Sequence, residues 1–304
     1  MHSSTSWAVP PADTMQFSYV QIGARDYESL AAFYKKALEF KKCEDLSWLR
    51  GKEGTTLSAP GFEGKQAPVF GFVKAEKGAA RKINDCGFAH ICFETENVRA
   101  AVKRFVECGG SFVSTLKLPK MNPCVYCKDP EGNIVEFHIP FPAEKTAGQY
   151  LNTAGCLLQM KRYAGLRFIH VNIITHDWEK LCEFYRGAFG CTDTGNLKDH
   201  QGGYKSKVIG IKDVHVVGRH ILLPGFYATY PTLEIFSYSV PGLDRPAEED
   251  ELGLSAIGFL SENPAADSDT VCACGGTCIE TTENFAHLLD SQQGHIILKK
   301  TQED

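Results

Sequence analysis

Two histidines and two glutamates stand in short, otherwise apolar segments, which makes them the first candidates for chemistry. His90 lies in FAHICF and His170 in FIHVNI, while Glu136 lies in NIVEF and Glu234 in TLEIF. A lone histidine on a strand usually has a structural role, but a glutamate buried on such a strand is costly unless it has a partner. Histidine and carboxylate side chains can also bind a divalent metal or transfer a proton.

The segment around His170 predicts a strand, a sharp break and a helix. In Phe168–Tyr185 the apolar residues first alternate and then recur at helical spacing, with Asp177 at the expected N-cap. A similar segment occurs once before, at Phe17–Tyr34, with Tyr19 at the position equivalent to His170. This repeat indicates an internal duplication.

A second pair of similar segments runs from Gly87 to Gly110 and from Gly253 to Gly276. Each predicts a strand and then a helix that begins at Asn97 or Asn263, with Pro264 suited to the first helical position. All four strand–helix openings are followed by short β-rich sequence, including a strand predicted at Gly203–Ile211. The chain is therefore expected to use a βαβββ module four times.

Length and composition are those of a globular protein with two domains. The chain has 304 residues, of which 43% are hydrophobic and 23% charged, and its net charge of −5 provides no basic field for nucleic acid. No apolar run is long enough to span a membrane. Residues 1–15 are expected to form a flexible tail because of their Ser, Pro and Thr content. They contain no apolar or basic region typical of a secretory signal.

The predicted domains are residues 16–140, with modules 1 and 2, and residues 166–304, with modules 3 and 4. Residues 141–165 are expected to link them. The twelve cysteines are scattered singly, and without a secretory signal they predict reduced thiols in the cytoplasm.

These modules resemble the glyoxalase / bleomycin resistance / dioxygenase group, the vicinal oxygen chelate superfamily. The resemblance rests on the four βαβββ units, the Phe-Tyr pair in the first helices and the DPEGN turn at residues 129–133, and it covers roughly residues 16–300. It implies an α+β fold of two glyoxalase-like domains with cupped mixed sheets. In the family, each module can offer two metal ligands, a His or Gln on its first strand and a Glu on its last strand.

Carried over residue by residue, the resemblance assigns a full ligand pair to only two modules. Module 2 has His90 and Glu136, and module 3 has His170 and Glu234. The corresponding positions are Tyr19 and about Phe70 in module 1, and Ala256 and about Leu298 in module 4.

Two pairings of the modules remain open from the sequence. If module 1 faces 2 and module 3 faces 4, each domain holds half a site. If module 2 faces module 3, two histidines and two glutamates converge, and this set suits one divalent ion such as Zn, Ni, Co, Mn or Fe. Single-chain four-module glyoxalase I proteins are similar to the second arrangement, which also implies a monomer with pseudo-dimeric domains.

The resemblance implies a lyase or isomerase that chelates adjacent oxygens of a small substrate and moves a proton through an enediolate. Glu136 or Glu234 would be the catalytic base. The alternatives are a non-catalytic binding protein of the same fold and a glutathione-dependent glyoxalase I. Glutathione use is disfavoured, because Ile174 and Tyr238 stand where bacterial-type members have Arg and Asn. Ala256 and Leu298 disfavour an extradiol dioxygenase.

Several other polar residues are weaker candidates. His138 and Asn172 share strand faces with Glu136 and His170 and are expected to face the substrate. His215 and His220 fit no ligand position, so we expect structural or surface roles for them. Neither a metal nor a redox role is expected for two cysteine groups: Cys272, Cys274 and Cys278, and Cys124 and Cys127.

Overall fold

The computed structural model describes residues 15–62, 67–113, 124–139, 165–226 and 231–302. Its elements follow the four predicted modules. Module 1 comprises β1 (Met15–Ala24), α1 (Tyr27–Leu38), β2 (Lys41–Lys42), a 3₁₀ helix (Leu46–Leu49), β3 (Gly54–Ser58) and β4 (Val69–Lys74). Module 2 comprises β5 (Gly87–Glu94), α2 (Val98–Glu107), β6 (Ser111–Phe112), β7 (Cys124–Lys128) and β8 (Ile134–His138).

The second half repeats this order with one addition. Module 3 comprises β9 (Arg167–Ile174), α3 (Trp178–Phe189), β10 (Thr192–Gln201), α4 (Gly203–Ile209), β11 (His215–Leu222) and β12 (Thr232–Tyr238). Module 4 comprises β13 (Gly253–Ser261), α5 (Pro264–Ala273), β14 (Thr277–Thr281), β15 (Phe285–Leu289) and β16 (His295–Lys300). The predicted α+β fold class is confirmed.

Two eight-stranded mixed sheets contain these strands, and each combines modules from opposite halves of the chain. One sheet has the order β14-β15-β16-β13-β1-β4-β3-β2, and the other β10-β11-β12-β9-β5-β8-β7-β6. At the centre of each sheet two first strands pair antiparallel, β1 with β13 and β5 with β9. Module 2 therefore shares a sheet with module 3, and module 1 with module 4.

Helix starts follow the local signals in the sequence. The Asp177 side chain accepts a hydrogen bond from the Lys180 backbone at 3.1 Å, and Asp26 does the same for Ser29 at 2.9 Å. Asn97 and Asn263 cap α2 and α5, and Pro264 is the first residue of α5. Such caps stabilise a helix by about 1 kcal/mol each, because they satisfy a backbone N–H that has no partner inside the helix.

A single large apolar cluster joins the two sheets and the helices. The rings of Phe70 and Phe168, which belong to different sheets, are 5.1 Å apart. Phe33 of α1 lies 4.9 Å from Phe105 of α2, so neighbouring modules also pack through their helices. The division into domains 16–140 and 166–304 stays a prediction, since the sheets run across it.

The strand predicted at Gly203–Ile211 is wrong, because residues 203–209 form α4. Gly202 and Gly203 both have φ of 56°, and Gly210 ends the helix with φ of 76°. Val208 and Ile209 are buried in an apolar cluster with side chains of β7 and β12. Tertiary burial of these two β-branched residues thus outweighs their preference for a strand.

The predicted linker and tail fall almost entirely outside the described residues. Of the tail only Met15 is described, and it is a buried residue of β1. Of the linker only Gly165 is described. Within the described ranges no helix combines the length and the apolar character needed to cross a bilayer.

Candidate metal centre

Strand register brings the four candidate ligands of modules 2 and 3 to one place. In the β5–β9 pair Cys92 lies opposite His170, and His90 lies opposite Asn172. On the outer sides, Glu136 of β8 pairs with Cys92, and Glu234 of β12 pairs with Asn172. Because side chains alternate between the faces of a strand, all four functional groups can project from the same face of the sheet.

The donor atoms of these four residues converge. His90 Nε2 lies 3.1 Å from Glu136 Oε2 and 3.4 Å from Glu234 Oε2. His170 Nε2 lies 3.4 Å from Glu136 Oε2 and 3.5 Å from Glu234 Oε2. The two Nε2 atoms are 3.4 Å apart, and all four donors lie within 4.8 Å of one another.

Because the four side chains are buried together, their charges strongly affect one another's pKa. The four residues are between 1% and 6% exposed. Burial raises the pKa of a carboxyl group, but the adjacent imidazoles hold the pKa of Glu136 and Glu234 well below the usual range. Burial also opposes a charged imidazole, yet hydrogen bonds to both glutamates raise the pKa of His90, whereas burial dominates and lowers the pKa of His170.

The residues fit a divalent ion by two criteria. Bonds of about 2.0–2.2 Å to a four-coordinate ion place neighbouring N and O donors about 3.3–3.6 Å apart, close to the separations above. Two imidazoles with two carboxylates also form a donor set that borderline divalent metals accept. One feature departs from common metal sites, since among the described residues neither His90 Nδ1 nor His170 Nδ1 has a hydrogen-bond partner.

Glu234 is held more firmly than Glu136. Asn172 Nδ2 donates to Glu234 Oε2 at 3.0 Å and to the Glu234 backbone carbonyl at 3.1 Å. His220 Nε2 lies 3.1 Å from the other carboxylate oxygen, Oε1. Asn172 therefore faces the cluster as its strand position predicts, although it contacts a candidate ligand.

His220 is a site residue that sequence reasoning missed. Its position on β11 opposite Glu234 places it next to the cluster, and its other ring nitrogen lies 3.0 Å from the Thr232 hydroxyl. The odd spacing does send His215 to the other face, where it forms an exposed ion pair with Asp199. The signal that could have found His220 is the strand pairing between β11 and β12, because a residue opposite a buried glutamate on the neighbouring strand is close enough to contact it.

The remaining polar candidate, His138, lies at the edge of the cluster. It is half-buried at the end of β8, and its Nδ1 contacts the Ile139 carbonyl. Burial lowers the pKa of His138, and the charge of Glu136 opposes this effect.

Helix α4 adds a cation that the sequence did not indicate. Lys205 Nζ lies 3.3 Å from the Tyr126 hydroxyl and 5.6 Å from the centre of the Tyr126 ring. Burial opposes its charge, but Glu136 and Glu234 are close enough to raise the pKa of Lys205. α4 thus brings a positive charge near the two candidate carboxylate ligands.

The equivalent place between modules 1 and 4 contains a small apolar cluster instead of the four ligands. Tyr19 and Trp48 stack there with ring centres 4.8 Å apart, and Ala256 and Ile297 complete the cluster. The predicted equivalents Phe70 and Leu298 are each one residue off. Both belong to the main core instead.

The strand pairing in modules 1 and 4 shows which residues are equivalent to Glu234 and Glu136. Gly71 pairs with Gln21 as Glu234 pairs with Asn172, and Ile297 pairs with Gly258 as Glu136 pairs with Cys92. A Cβ at Gly71 would lie 2.1 Å from the Tyr19 hydroxyl oxygen, so this glycine makes room for the tyrosine.

Comparison with known proteins agrees with this architecture. Residues 16–137 match the family model described as Glyoxalase/Bleomycin resistance protein/Dioxygenase superfamily. No protein of curated function matches the sequence.

Solved structures resemble the chain over nearly its whole length. Glyoxalase I from Zea mays has a TM-score of 0.62 at 13% identity, over 95% of this chain and 93% of that one. A putative dioxygenase from Bacillus subtilis has a TM-score of 0.57 at 12% identity, over 96% and 86%. At such identities the likeness shows the fold alone.

Proposed function

Since residues 16–137 match the family model of the glyoxalase / bleomycin resistance / dioxygenase superfamily, we propose that the protein is a metal-dependent enzyme of that superfamily, of the lyase or isomerase type. The observation that carries the proposal is the convergence of His90, Glu136, His170 and Glu234 across the β5–β9 junction. These residues would hold one divalent ion. The ion would act as a Lewis acid on two adjacent oxygens of a small substrate and stabilise the negative charge that develops there.

The contacts around the two glutamates favour Glu136 as the proton carrier. Asn172 and His220 together hold both carboxylate oxygens of Glu234, which suits a fixed ligand. At Glu136, both histidines contact the same oxygen, Oε2. Among the described residues no amide group holds Glu136 as Asn172 holds Glu234, and a less firmly held carboxylate can move toward a substrate C–H and accept its proton.

The side chains at positions 174 and 238 favour a substrate other than glutathione. Ile174 and Tyr238 lie in an apolar cluster with Val208 and Ile209 of α4. These side chains provide no charged group for a peptide carboxylate at the two positions. The proposed substrate is instead a small molecule with adjacent oxygens, bound in the cup between modules 2 and 3.

Metal content tests the proposal directly. We expect protein purified without added metal to contain one tightly bound divalent ion at this site, and His90→Ala or His170→Ala to lose it, because removal of one ligand leaves a buried, incomplete set. Elemental analysis of the folded variants measures this. His215→Ala is the matched control, since it removes an exposed histidine that already pairs with a carboxylate. Equal metal content in all four proteins would contradict the assignment.

Proton exchange separates catalysis from simple binding. In deuterated water the metal-loaded protein should exchange the C–H next to the carbonyl of a small α-hydroxy ketone, as followed by NMR. Glu136→Gln should exchange it far more slowly for each bound metal ion, with the metal content measured in the same sample. If the protein binds metal yet exchanges none of a panel that includes the hemithioacetal of glutathione and methylglyoxal, the non-catalytic binding function replaces the enzyme.

A further inference from the structure

A second group of potential ligands lies outside the cluster just described. Cys86 directly precedes β5, His176 follows β9, and Asp244 belongs to the loop between β12 and β13. Because β5 and β9 are antiparallel with Gly87 opposite Ile174, the start of one strand meets the end of the other. This register places Cys86 beside His176, although the two are far apart in the chain.

Backbone contacts fix the third residue of the group. The Cys86 N–H donates to the Leu243 carbonyl at 2.8 Å, and the Gly242 N–H donates to the Asn84 carbonyl at 2.8 Å. The Leu243 N–H in turn donates to Asp85 Oδ1 at 2.7 Å. The loop that carries Asp244 is therefore attached to the segment that carries Cys86.

The three donor atoms face one another. His176 Nε2 lies 3.5 Å from Cys86 Sγ and also contacts Asp244 Oδ1, and the three atoms are within 4.8 Å of one another. A nucleophile–base–carboxylate relay would use both nitrogens of the imidazole. Here one nitrogen meets both partners, which is how donors are arranged around a single ion.

The separation and the donor types both match zinc. Bonds of about 2.3 Å to sulfur and about 2.0–2.1 Å to imidazole nitrogen put the two donors of a tetrahedral ion about 3.5 Å apart. Thiolate, imidazole and carboxylate together suit a borderline ion better than Mg²⁺ or Ca²⁺.

The surroundings leave room for a further ligand. A cavity of about 30 Å³ adjoins the three side chains and is also lined by Thr175, Asp290 and Gln292. This is enough space for a water molecule, which needs about 10–15 Å³.

We propose that Cys86, His176 and Asp244 form a second metal site, specific for Zn²⁺ or a similar borderline divalent ion, with a water-accessible fourth position. The site joins the sheet of modules 2 and 3 to the loop that leads into module 4. It is independent of the site at His90, which contains no sulfur ligand.

Cobalt titration tests this site, because only a thiolate ligand produces a sulfur-to-Co²⁺ charge-transfer band in the near ultraviolet. The metal-free full chain under reducing conditions should take up two Co²⁺ and show this band. Cys86→Ser should lose the band and one equivalent. His90→Ala should lose the other equivalent and keep the band, so failure of the first site is distinguishable from failure of the second.

Cys278→Ser is the matched control, since Cys278 is exposed and close in sequence to Cys272 and Cys274. Absence of the band in the unmodified chain, or its loss in Cys278→Ser but not in Cys86→Ser, would overturn the proposal. Should Cys86→Ser fail to fold, His176→Gln replaces a half-exposed side chain and should weaken Co²⁺ binding at this site at least about tenfold.

Thermal unfolding gives a second readout without sulfur spectroscopy. In a His90→Ala background, Zn²⁺ should raise the unfolding midpoint, since an ion that binds only the folded chain stabilises it. In His90→Ala/Cys86→Ser the same addition should have no effect, and an equal rise in both would count against the site.

Discussion

At the scale of single residues, the candidate centre depends on partners that orient its ligands. Among the four candidate ligands, the side chain of Glu234 is held in place most firmly, because Asn172 and His220 contact its two carboxylate oxygens. Residues that hold a metal ligand in place usually contribute to affinity without binding the ion themselves. His220, which the sequence indicated only as structural or surface, is thus a positioning residue for Glu234.

Replacement of His220 should weaken metal binding without abolishing it. We expect His220→Ala to lower the affinity for Zn²⁺ about 10–100-fold, because Glu234 loses the partner of its Oε1 atom. Competition with a chromophoric chelator measures this affinity. His215→Ala, on the same strand, serves as the control, and an unchanged affinity in His220→Ala would show that Asn172 alone suffices.

At the scale of elements, the site exists because β5 and β9 pair across the middle of the chain. At one end of this pair Glu94 lies opposite Arg167, and Arg167 Nη2 is 2.6 Å from Glu94 Oε1 with both side chains buried. Burial raises the pKa of Glu94, and the charge of Arg167 opposes this rise. A buried pair of this kind holds register because either charge alone would be costly.

Breaking this ion pair should destabilise the junction. Arg167→Met leaves Glu94 buried without its partner and is expected to reduce the free energy of unfolding by about 3–5 kcal/mol. Denaturant unfolding measures the change. In Glu94→Met/Arg167→Met most of the loss should be recovered, and a double variant as unstable as the single one would mean that Arg167 acts through packing rather than charge.

Helix α4 shows how an added element changes a repeated module. Of the four modules, within the described residues, module 3 alone carries an α-helix between its second and third strands. α4 brings Lys205 to Tyr126 and covers the apolar cluster that contains Ile174 and Tyr238. Within the described residues, helix α4 therefore has a counterpart neither in module 1 nor in module 4, where the place of the ligands holds the Tyr19–Trp48 cluster.

At the scale of the whole molecule, two pseudo-equivalent contacts join the sheets. The Tyr34 hydroxyl donates to Asp129 Oδ2 and the Tyr185 hydroxyl to Asp290 Oδ2, each at 3.0 Å. Burial raises the pKa of both aspartates to about 6, although hydrogen bonds from their turns oppose this. Each tyrosine belongs to the repeated Phe-Tyr pair, so the tyrosine of that pair makes the same contact in both halves of the chain.

These aspartates predict a pH dependence of stability. Their pKa is higher in the folded chain than in the unfolded chain, so the folded state binds more protons between about pH 4 and pH 6. Each aspartate should therefore contribute on the order of 1 kcal/mol more to stability at pH 5 than at pH 7. Buried histidines act in the opposite direction, for example His287, whose pKa burial lowers to about 3, so the aspartate contribution is measured as a difference between variants. Urea unfolding of the metal-free protein measures it. Between pH 7 and pH 5 the stability of the unmodified chain should change more favourably than that of Asp129→Asn/Asp290→Asn, and an identical pH dependence in the two proteins would show that these aspartates do not contribute.

Assembly and location remain predictions at this scale. The pairing of modules within one chain supports a monomer, because each central strand pair already contains the two first strands that a two-module dimer would bring together. Light scattering checks the mass. The cytoplasmic location rests on the sequence expectations alone.

The sequence by itself predicted the helix starts from signals within a few residues. The modules followed from the internal repeats, and the four candidate ligands followed from the family resemblance. Asp177 and Asn97 cap their helices through their own neighbours, and period-two alternation places His90 and His170 on strands.

Only the tertiary structure decided which modules share a sheet, since the pairing of β5 with β9 joins segments that are distant in the chain. It also decided register, where a shift of one residue exchanges Phe70 for Gly71 and moves a side chain to the other face. The same long-range pairing brings Cys86, His176 and Asp244 together. These residues are far apart in the chain, so no short sequence motif predicts that they lie close to one another.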